Sequence, residues 1–307
     1  MNNKRKAKTL SLFNLMELYP TKESAIKYFE KTIWQGKKVC SKCGCDSKIK
    51  PQKDGVNYWC GDCRSYFNVF TNTPLERNKI DPRKWLFAGY LLLTSRKGVS
   101  SMQLSKELSI KQSTAWYMMH RLRLACSSDN SLLSGIVEAD ETYVGGKEAN
   151  KHKNKKIKGS QGGANKSIIM GMKQRNGNVK AEVINNTKTD TLQAVLSNNV
   201  SKDALLMTDE LRGYKGVKYD RMQVNHSAKE YVKGMAHTNS IESVWAVLKR
   251  GYNGIYHNFS TKHLQSYTNE FTFRLNEGNC QIDTQDRLDS LFGNMFGKVV
   301  TYRGLAR

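Results

Sequence analysis

Two Cys-x-x-Cys pairs, Cys40/Cys43 and Cys60/Cys63, stand with 16 residues between them near the start of a 307-residue chain. Each pair sets two thiols on a tight turn, and two such turns close a tetrahedron around one zinc ion. The residues between them must then fold back as a short hairpin. The alternation of apolar and polar residues around Tyr58-Trp59-Cys60 has the period of a strand in such a hairpin. Residues 37–72 therefore read as a zinc ribbon. Cys45 competes with Cys43 as a ligand, but Cys40 and Cys43 reproduce the spacing of the downstream pair, which favours Cys43. With four thiolates filling all positions, Zn2+ here is structural.

Charge narrows what the ribbon serves. Fifty Lys and Arg face 27 Asp and Glu, a net charge of +23. Solubility alone is the bland explanation. No amphipathic membrane helix or lipidation motif accompanies the excess, so a nucleic acid suits it better than a membrane surface. The longest apolar stretch, Leu86 to Leu93, contains a glycine and is too short to cross a bilayer. Lys4, Arg5 and Lys6 are not followed by the apolar run of a signal peptide. Cys45, Cys126 and Cys280 show no disulfide pattern, which points to a reducing, cytoplasmic setting. The 38% hydrophobic content is enough for a real core.

Periodicity divides the chain into four blocks: 1–36 helical, 37–72 ribbon, 73–130 helical and 131–307 α/β. In the first, Leu12, Leu15, Met16 and Tyr19 recur at helical spacing, and Thr21 caps a second helix carrying Ala25, Ile26, Tyr28 and Phe29. In the third, Gly98 to Trp116 reads as helix, tight turn, helix. Ser100 or Ser101 caps the first helix, and Leu104, Leu108 and Ile110 form the seam. Ser113 starts a second helix through Met118 and Leu122. This is the helix-turn-helix pattern, and two packed helices with no DNA role share it.

From Gly135 the period changes. Strands are expected at 135–140, 168–173, 179–184, 204–207 and 222–224, with a turn at Asn176-Gly177-Asn178; helices are expected at 190–196, 240–249 and 262–275. Hairpin strands followed by alternating helix and strand describe an α/β domain with a mixed sheet. Lys147 to Lys158 holds six lysines in twelve residues and runs into a glycine-rich stretch, so it reads as a loop that solvates its charge or touches phosphate.

Asp140 ends a strand, Asp209 follows the strand Ala204–Met207, and Glu242 lies near the start of a helix. Strand-end carboxylates can converge on one point, and an all-oxygen cluster suits Mg2+. Two ions about 4 Å apart activate a nucleophile and stabilise the leaving oxygen in phosphoryl transfer. Three acids among 27 are also compatible with a turn cap at Asp140 and a first-turn helix acid at Glu242. Lys249 lies two helical turns beyond Glu242 on the same face, where it can hold a phosphate beside the acid. Asn239 is either a metal ligand or the helix cap. Trp245 reads as a core contact.

Several segments together resemble bacterial insertion-sequence transposases of the 1595 type. They are Trp34 to Gly44, Trp59 to Phe67, Lys84 to Ala88, Ala139-Asp-Glu-Thr-Tyr-Val-Gly-Gly-Lys147, Thr208-Asp-Glu210, His237 to Gly251 and Glu270 to Asn276. They appear in the family's order from about residue 11 to 305. The resemblance implies an RNase H-like DDE catalytic domain, preceded by the ribbon and the helix-turn-helix. Asp140, Asp209 and Glu242 match its three acids and Lys249 the basic residue beyond. Some relatives carry asparagine at the third position, and Asn239 stands in the same motif; carboxylate is the better ligand, which favours Glu242.

The resemblance further implies a DNA transposase using Mg2+ or Mn2+ on double-stranded DNA, at transposon ends and at the target. The ends are paired by a homodimer or higher oligomer. DNA contacts are expected from Ser113 and Thr114, from Lys147, Lys155 and Lys156, and from Lys249 and Arg250. Two other readings remain open on sequence: a noncatalytic zinc-ribbon and helix-turn-helix regulator, and an RNase H-like structure-selective nuclease.

Overall fold

The computed structural model describes residues 7–127, 131–146, 152, 154, 166–224, 237–277 and 282–306. Two compact units emerge: residues 1–127 with 277–307, and residues 128–276.

In the first unit, α1 (Leu12–Leu18) and α2 (Lys22–Trp34) open on matching caps. Ser11 Oγ accepts from Asn14 N at 3.1 Å, and Thr21 Oγ1 accepts from Ser24 N at 3.2 Å. The stripe expected on α1 is only partly used: Leu15 is buried, whereas Leu12 and Met16 are exposed, because a two-turn helix offers its core one residue. On α2 the expected Ala25, Ile26, Tyr28 and Phe29 are all buried.

The ribbon is a three-stranded antiparallel sheet, β1 (Ile49–Pro51), β2 (Tyr58–Cys60) and β3 (Ser65–Phe67), one strand more than a hairpin. Its inner face packs Tyr58 and Phe67 on Trp34 of α2, with ring centroids 5.4 and 6.2 Å away. Next come α3 (Pro82–Thr94), capped by Asp81 with Pro82 at its first position, α4 (Ser101–Glu107) and α5 (Gln112–Ala125). Ser100 Oγ caps α4 by accepting from Gln103 N. The turn passes through Ser109 at φ 48°, and α5 begins at Gln112, one residue before the expected Ser113.

The second unit is built on a five-stranded mixed sheet. Its strands are β4 (Ile136–Val144), β5 (Ser167–Gln174), β6 (Val179–Ile184), β7 (Leu205–Thr208) and β8 (Arg221–Gln223), in the order β6-β5-β4-β7-β8. β5 runs antiparallel to both of its neighbours, β4 and β6; β7 pairs parallel with β4, and β8 parallel with β7. Between β6 and β7 lies α6 (Thr189–Asn199), and after β8 come α7 (Asn239–Gly251) and α8 (Leu264–Glu277).

Alternation along β4 gives each face its own core. Val137 and Ala139 pack with Leu192 and Leu196 of α6; Val144 packs with Ile241, Trp245 and Leu248 of α7. The edge strand β6 is covered by amides from α8. Gln265 and Asn276 accept from the N–H groups of Val183 and Val179 and donate to the carbonyls of Ala181 and Val179.

The chain then returns to the first unit. α9 (Thr284–Gly293) and α10 (Tyr302–Ala306) follow, and Phe292 of α9 packs edge-on against Phe29 of α2, with centroids 4.9 Å apart. A Cβ at Gly89 of α3 would lie 2.5 Å from the Phe292 ring, so glycine makes room for it. The expectation of one α/β block over 131–307 is thus corrected at its end. Residues 277–307 belong with the first unit, because the apolar face of α9 is spent on α2 and α3. Among the described residues, no helix is long and apolar enough to cross a membrane.

Candidate active site and metal centre

The four ribbon cysteines converge. Their Sγ atoms all lie within 4.8 Å of one another, with Cys40–Cys63 at 3.7 Å and Cys43–Cys60 at 3.6 Å. Tetrahedral zinc with Zn–S bonds of about 2.3 Å requires sulfurs about 3.8 Å apart, so the cluster fits the ion. Cys45 stands outside it, its Sγ 3.9 Å from Ser47 Oγ. On the opposite face of this sheet Lys50, Trp59 and Tyr66 share one cross-strand row. Lys50 and Tyr66 are exposed, and the two rings meet edge-on with centroids 4.8 Å apart.

In the helix-turn-helix, Leu104, Leu108, Ala115, Met118 and Leu122 are buried, whereas Ser113 is exposed and Thr114 half-buried at the start of α5. Lys147, Lys155 and Lys156 lie outside the described residues.

In the second unit, β4 is the common support. The parallel pairing of β4 with β7 runs from Ile136–Leu205 to Glu138–Met207, and continuing that register sets Asp140 level with Asp209 just past β7. Across the antiparallel side Asp140 pairs with Gly171 of β5. That glycine is a packing requirement: a Cβ there would lie 2.5 Å from the Trp245 indole and 2.8 Å from Ile241. The indole thereby lies close over the sheet, and its Nε1 donates to Asp140 Oδ2 at 2.9 Å. Asp209 stiffens its own turn by accepting from Leu211 N through Oδ1 at 3.0 Å.

Glu242 is exposed in the first turn of α7 and accepts from Thr238 Oγ1 at 3.1 Å. Thr238, rather than Asn239, is the helix cap residue. Lys249 and Arg250 are exposed in the last turn of the same helix.

Electrostatics ties these acids together. Burial, then the charge of Asp209, and also that of Glu242, push the Asp140 carboxyl up to about 6, against the opposing donation from Trp245. Neighbouring Glu141, on the other face of β4, is pushed up by burial to about 8 and accepts a hydrogen bond from the buried Tyr214 hydroxyl. Hard carboxylate oxygens that repel one another in a partly buried site form a donor set suited to a divalent cation. Among the described residues, the four cysteines are the one group of three or more His, Cys, Asp or Glu whose ligand atoms are already gathered around a point. The three acids share a field rather than a closed cage.

Two residues at this site carried no sequence signal of their own. Trp245 donates to Asp140 as well as filling the core. Glu138, fully buried two residues before Asp140, accepts from Ser240 N and Ile241 N at the start of α7. Glu138-x-Asp140 places two acids on one face of a largely buried strand, a pattern that could have flagged both.

Residues 132–276, nearly the whole second unit, match the family model described as ISXO2-like transposase domain. A protein of Halobacterium salinarum, described as an uncharacterised protein in transposable element ISH50, is 26% identical over 256 residues, covering 78% of this chain and 86% of that protein. Among solved structures, a chain from the simian T-cell lymphotropic virus intasome in complex with PP2A regulatory subunit B56 gamma aligns with a TM-score of 0.28 at 11% identity. The alignment covers 62% of this chain and 65% of that one.

Proposed function

We propose a DNA transposase that cuts at the ends of its insertion sequence and joins them to target DNA, a reading supported by the match of residues 132–276 to the ISXO2-like transposase domain. The observation that carries this reading is the β4–β7 register that sets Asp140 level with Asp209, with α7 bringing Glu242 close enough for its charge to act on Asp140. The resemblance assigns these same three positions to catalysis.

Asp140, Asp209 and Glu242 would hold Mg2+ or Mn2+, which supplies Lewis acidity and lowers the pKa of bound water for phosphoryl transfer. The protein's own contributions are positional. Trp245 donates to Asp140 Oδ2 and so fixes that carboxylate, and the Asp209 turn holds the second acid level with it. Lys249 and Arg250, exposed at the far end of α7, bind phosphates of the same DNA.

Recognition of the terminal inverted repeats falls to the first unit. Ser113 and Thr114 open the helix that enters the major groove. Structural zinc holds the ribbon, whose outer row offers the Lys50 ammonium to the backbone and the Tyr66 ring for apolar contact. Joining two ends requires at least two protomers, so the acting species is a homodimer or higher oligomer. Lys147, Lys155 and Lys156 add phosphate contacts.

The test is incubation of the protein with labelled element ends and Mg2+, scoring nicked and joined products. Asp140→Asn should bind ends normally and produce neither. A regulator would be unaffected in every activity by that substitution, and a structure-selective nuclease would cut branched DNA without joining it.

A further inference from the structure

The strand that carries Asp140 also carries a carboxylate with an unusually full set of partners. Glu138 is fully buried. Its Oε2 accepts from Ser240 N at 2.8 Å and Ile241 N at 3.1 Å; its Oε1 accepts from Ser240 Oγ at 3.1 Å and Arg175 Nε at 3.0 Å. His237 Nδ1 lies 3.2 Å from the same Oε1, and Arg175 Nη2 donates to the His237 carbonyl at 3.1 Å.

The amides of Ser240 and Ile241 belong to the first turn of α7, whose N–H groups have no partner within the helix. Helix caps usually come from the residue just before the helix. Thr238 makes no side-chain cap bond to these amides, and the acceptor comes instead from a strand about 100 residues away in sequence. The positive end of the helix dipole and the Arg175 guanidinium together compensate the buried charge.

A second link joins the same two elements, Trp245 of α7 to Asp140 of β4. The two links match in spacing. Glu138 and Asp140 are two strand residues apart, about 6.6 Å; Ile241 and Trp245 are four helix residues apart, about 6 Å. Two parallel attachments on one helix face fix both its rotation and its position along its axis. Glu242 follows immediately after the first attachment and precedes the second.

We propose that Glu138 is a positioning residue: by capping α7 from β4, it sets the orientation in which Glu242 meets Asp140 and Asp209. The inference rests on those three acids forming the divalent-ion site. If Glu138 served only to close the core, its loss would lower stability and leave ion binding by the folded protein unchanged.

The test is Mn2+ binding to the full zinc-loaded chain, followed by electron paramagnetic resonance of the free ion, beside Mg2+-dependent cleavage of labelled element ends. Glu138→Gln, which keeps the shape but loses the charge, should weaken Mn2+ binding about 10- to 100-fold, the usual consequence of removing a residue that orients metal ligands. It should raise the Mg2+ half-saturation of cleavage in parallel and leave end binding unchanged. Arg175→Lys should shift both in the same direction by less, and Ser240→Ala, which keeps the amide donors, should stay near wild type. Asp140→Asn serves as the control for the ion site itself.

If Asp140→Asn loses Mn2+ binding while folded Glu138→Gln binds it as wild type does, the positioning role is overturned and the ion site stands. If Asp140→Asn binds and cleaves normally, the ion-site reading falls and takes this inference with it. Should Glu138→Gln not fold, Arg175→Lys decides, and an unshifted Mn2+ affinity overturns the proposal.

Discussion

Trp245 Nε1 donates to Asp140 Oδ2 across 2.9 Å, joining the helix that bears one acid of the site to the strand that bears another. The bond is possible because Gly171, opposite Asp140 on β5, leaves the indole room to lie close over the sheet. One hydrogen bond thus ties the packing of α7 on the sheet to the placement of the Asp140 carboxylate.

Trp245→Phe separates these roles. Phenylalanine preserves much of the apolar contact and removes the donor, so the fold should persist. The Mg2+ half-saturation of cleavage should rise about 10-fold or more, as for other residues that orient metal ligands. Trp245→Ala should in addition cost about 3–5 kcal/mol through the cavity it leaves. A metal titration beside a denaturant melt distinguishes the two.

Gly171→Ala tests the packing from the other side. Its methyl would meet the indole at 2.5 Å and Ile241 at 2.8 Å, both within the well-packed α7 interface. Overpacking of this kind costs about 1–3 kcal/mol. The unfolding midpoint should drop, and cleavage should fall further than stability alone explains because α7 is displaced from β4.

A pH dependence follows from the raised carboxyls. Asp140 stands at about 6 instead of its ordinary 3.8, and Glu141 at about 8. An acid whose folded-state pKa is raised binds its proton more tightly when folded, so its contribution favours the fold at low pH and is lost as pH rises through the folded value. For Asp140 this is on the order of 3 kcal/mol between pH 4 and 6. Thermal midpoints of Mg2+-free, zinc-loaded protein should therefore show a declining contribution from this site as pH rises, absent in Asp140→Asn. Added Mg2+ should flatten it by favouring the ionised carboxylates. Cleavage itself should rise with pH through about 6.

Cys60→Ser removes one of the four thiols gathered in the cluster that fits zinc. Structural zinc supplies about 10 kcal/mol or more of folding free energy in small zinc domains. Zinc content per chain should fall from one to near zero, and end binding should weaken. The 128–276 unit, which has its own core, should keep its cooperative melt.

End binding should fall steeply with salt. Each phosphate neutralised contributes about −0.9 to the slope of log affinity against log salt concentration. Tyr66→Ser should weaken binding without changing that slope, and Lys50→Ala should reduce it by about one unit. Gel shifts at several ionic strengths measure both.

What could be read from the chain was whatever is encoded locally. Cysteine spacing fixed the ribbon, alternation placed the strands of the second unit to within a few residues, and Thr21 and Ser100 announced their helices. The ISXO2-like transposase match bears out the family resemblance. What escaped depends on partners distant in sequence. Its place two residues before Asp140 on a strand could have flagged Glu138, but its partners appear only when α7 arrives about 100 residues later. Trp245 would be buried under either role, so hydrophobicity could not reveal its donor. The amphipathic face of α9 likewise carries no address saying which core it will complete.

Helix α9 fills an interior begun more than 250 residues earlier in the chain. Phe292 closes against Phe29 and over Gly89, so the first unit lacks part of its interior until α9 has been made. A message cut short after residue 276 would encode every acid of the candidate site and every zinc thiol, yet leave Phe29 and Gly89 facing a void. Residues 277–307 thus complete the interior of the first unit, and a product lacking them should lose cooperative melting of that unit while the 128–276 unit keeps its own.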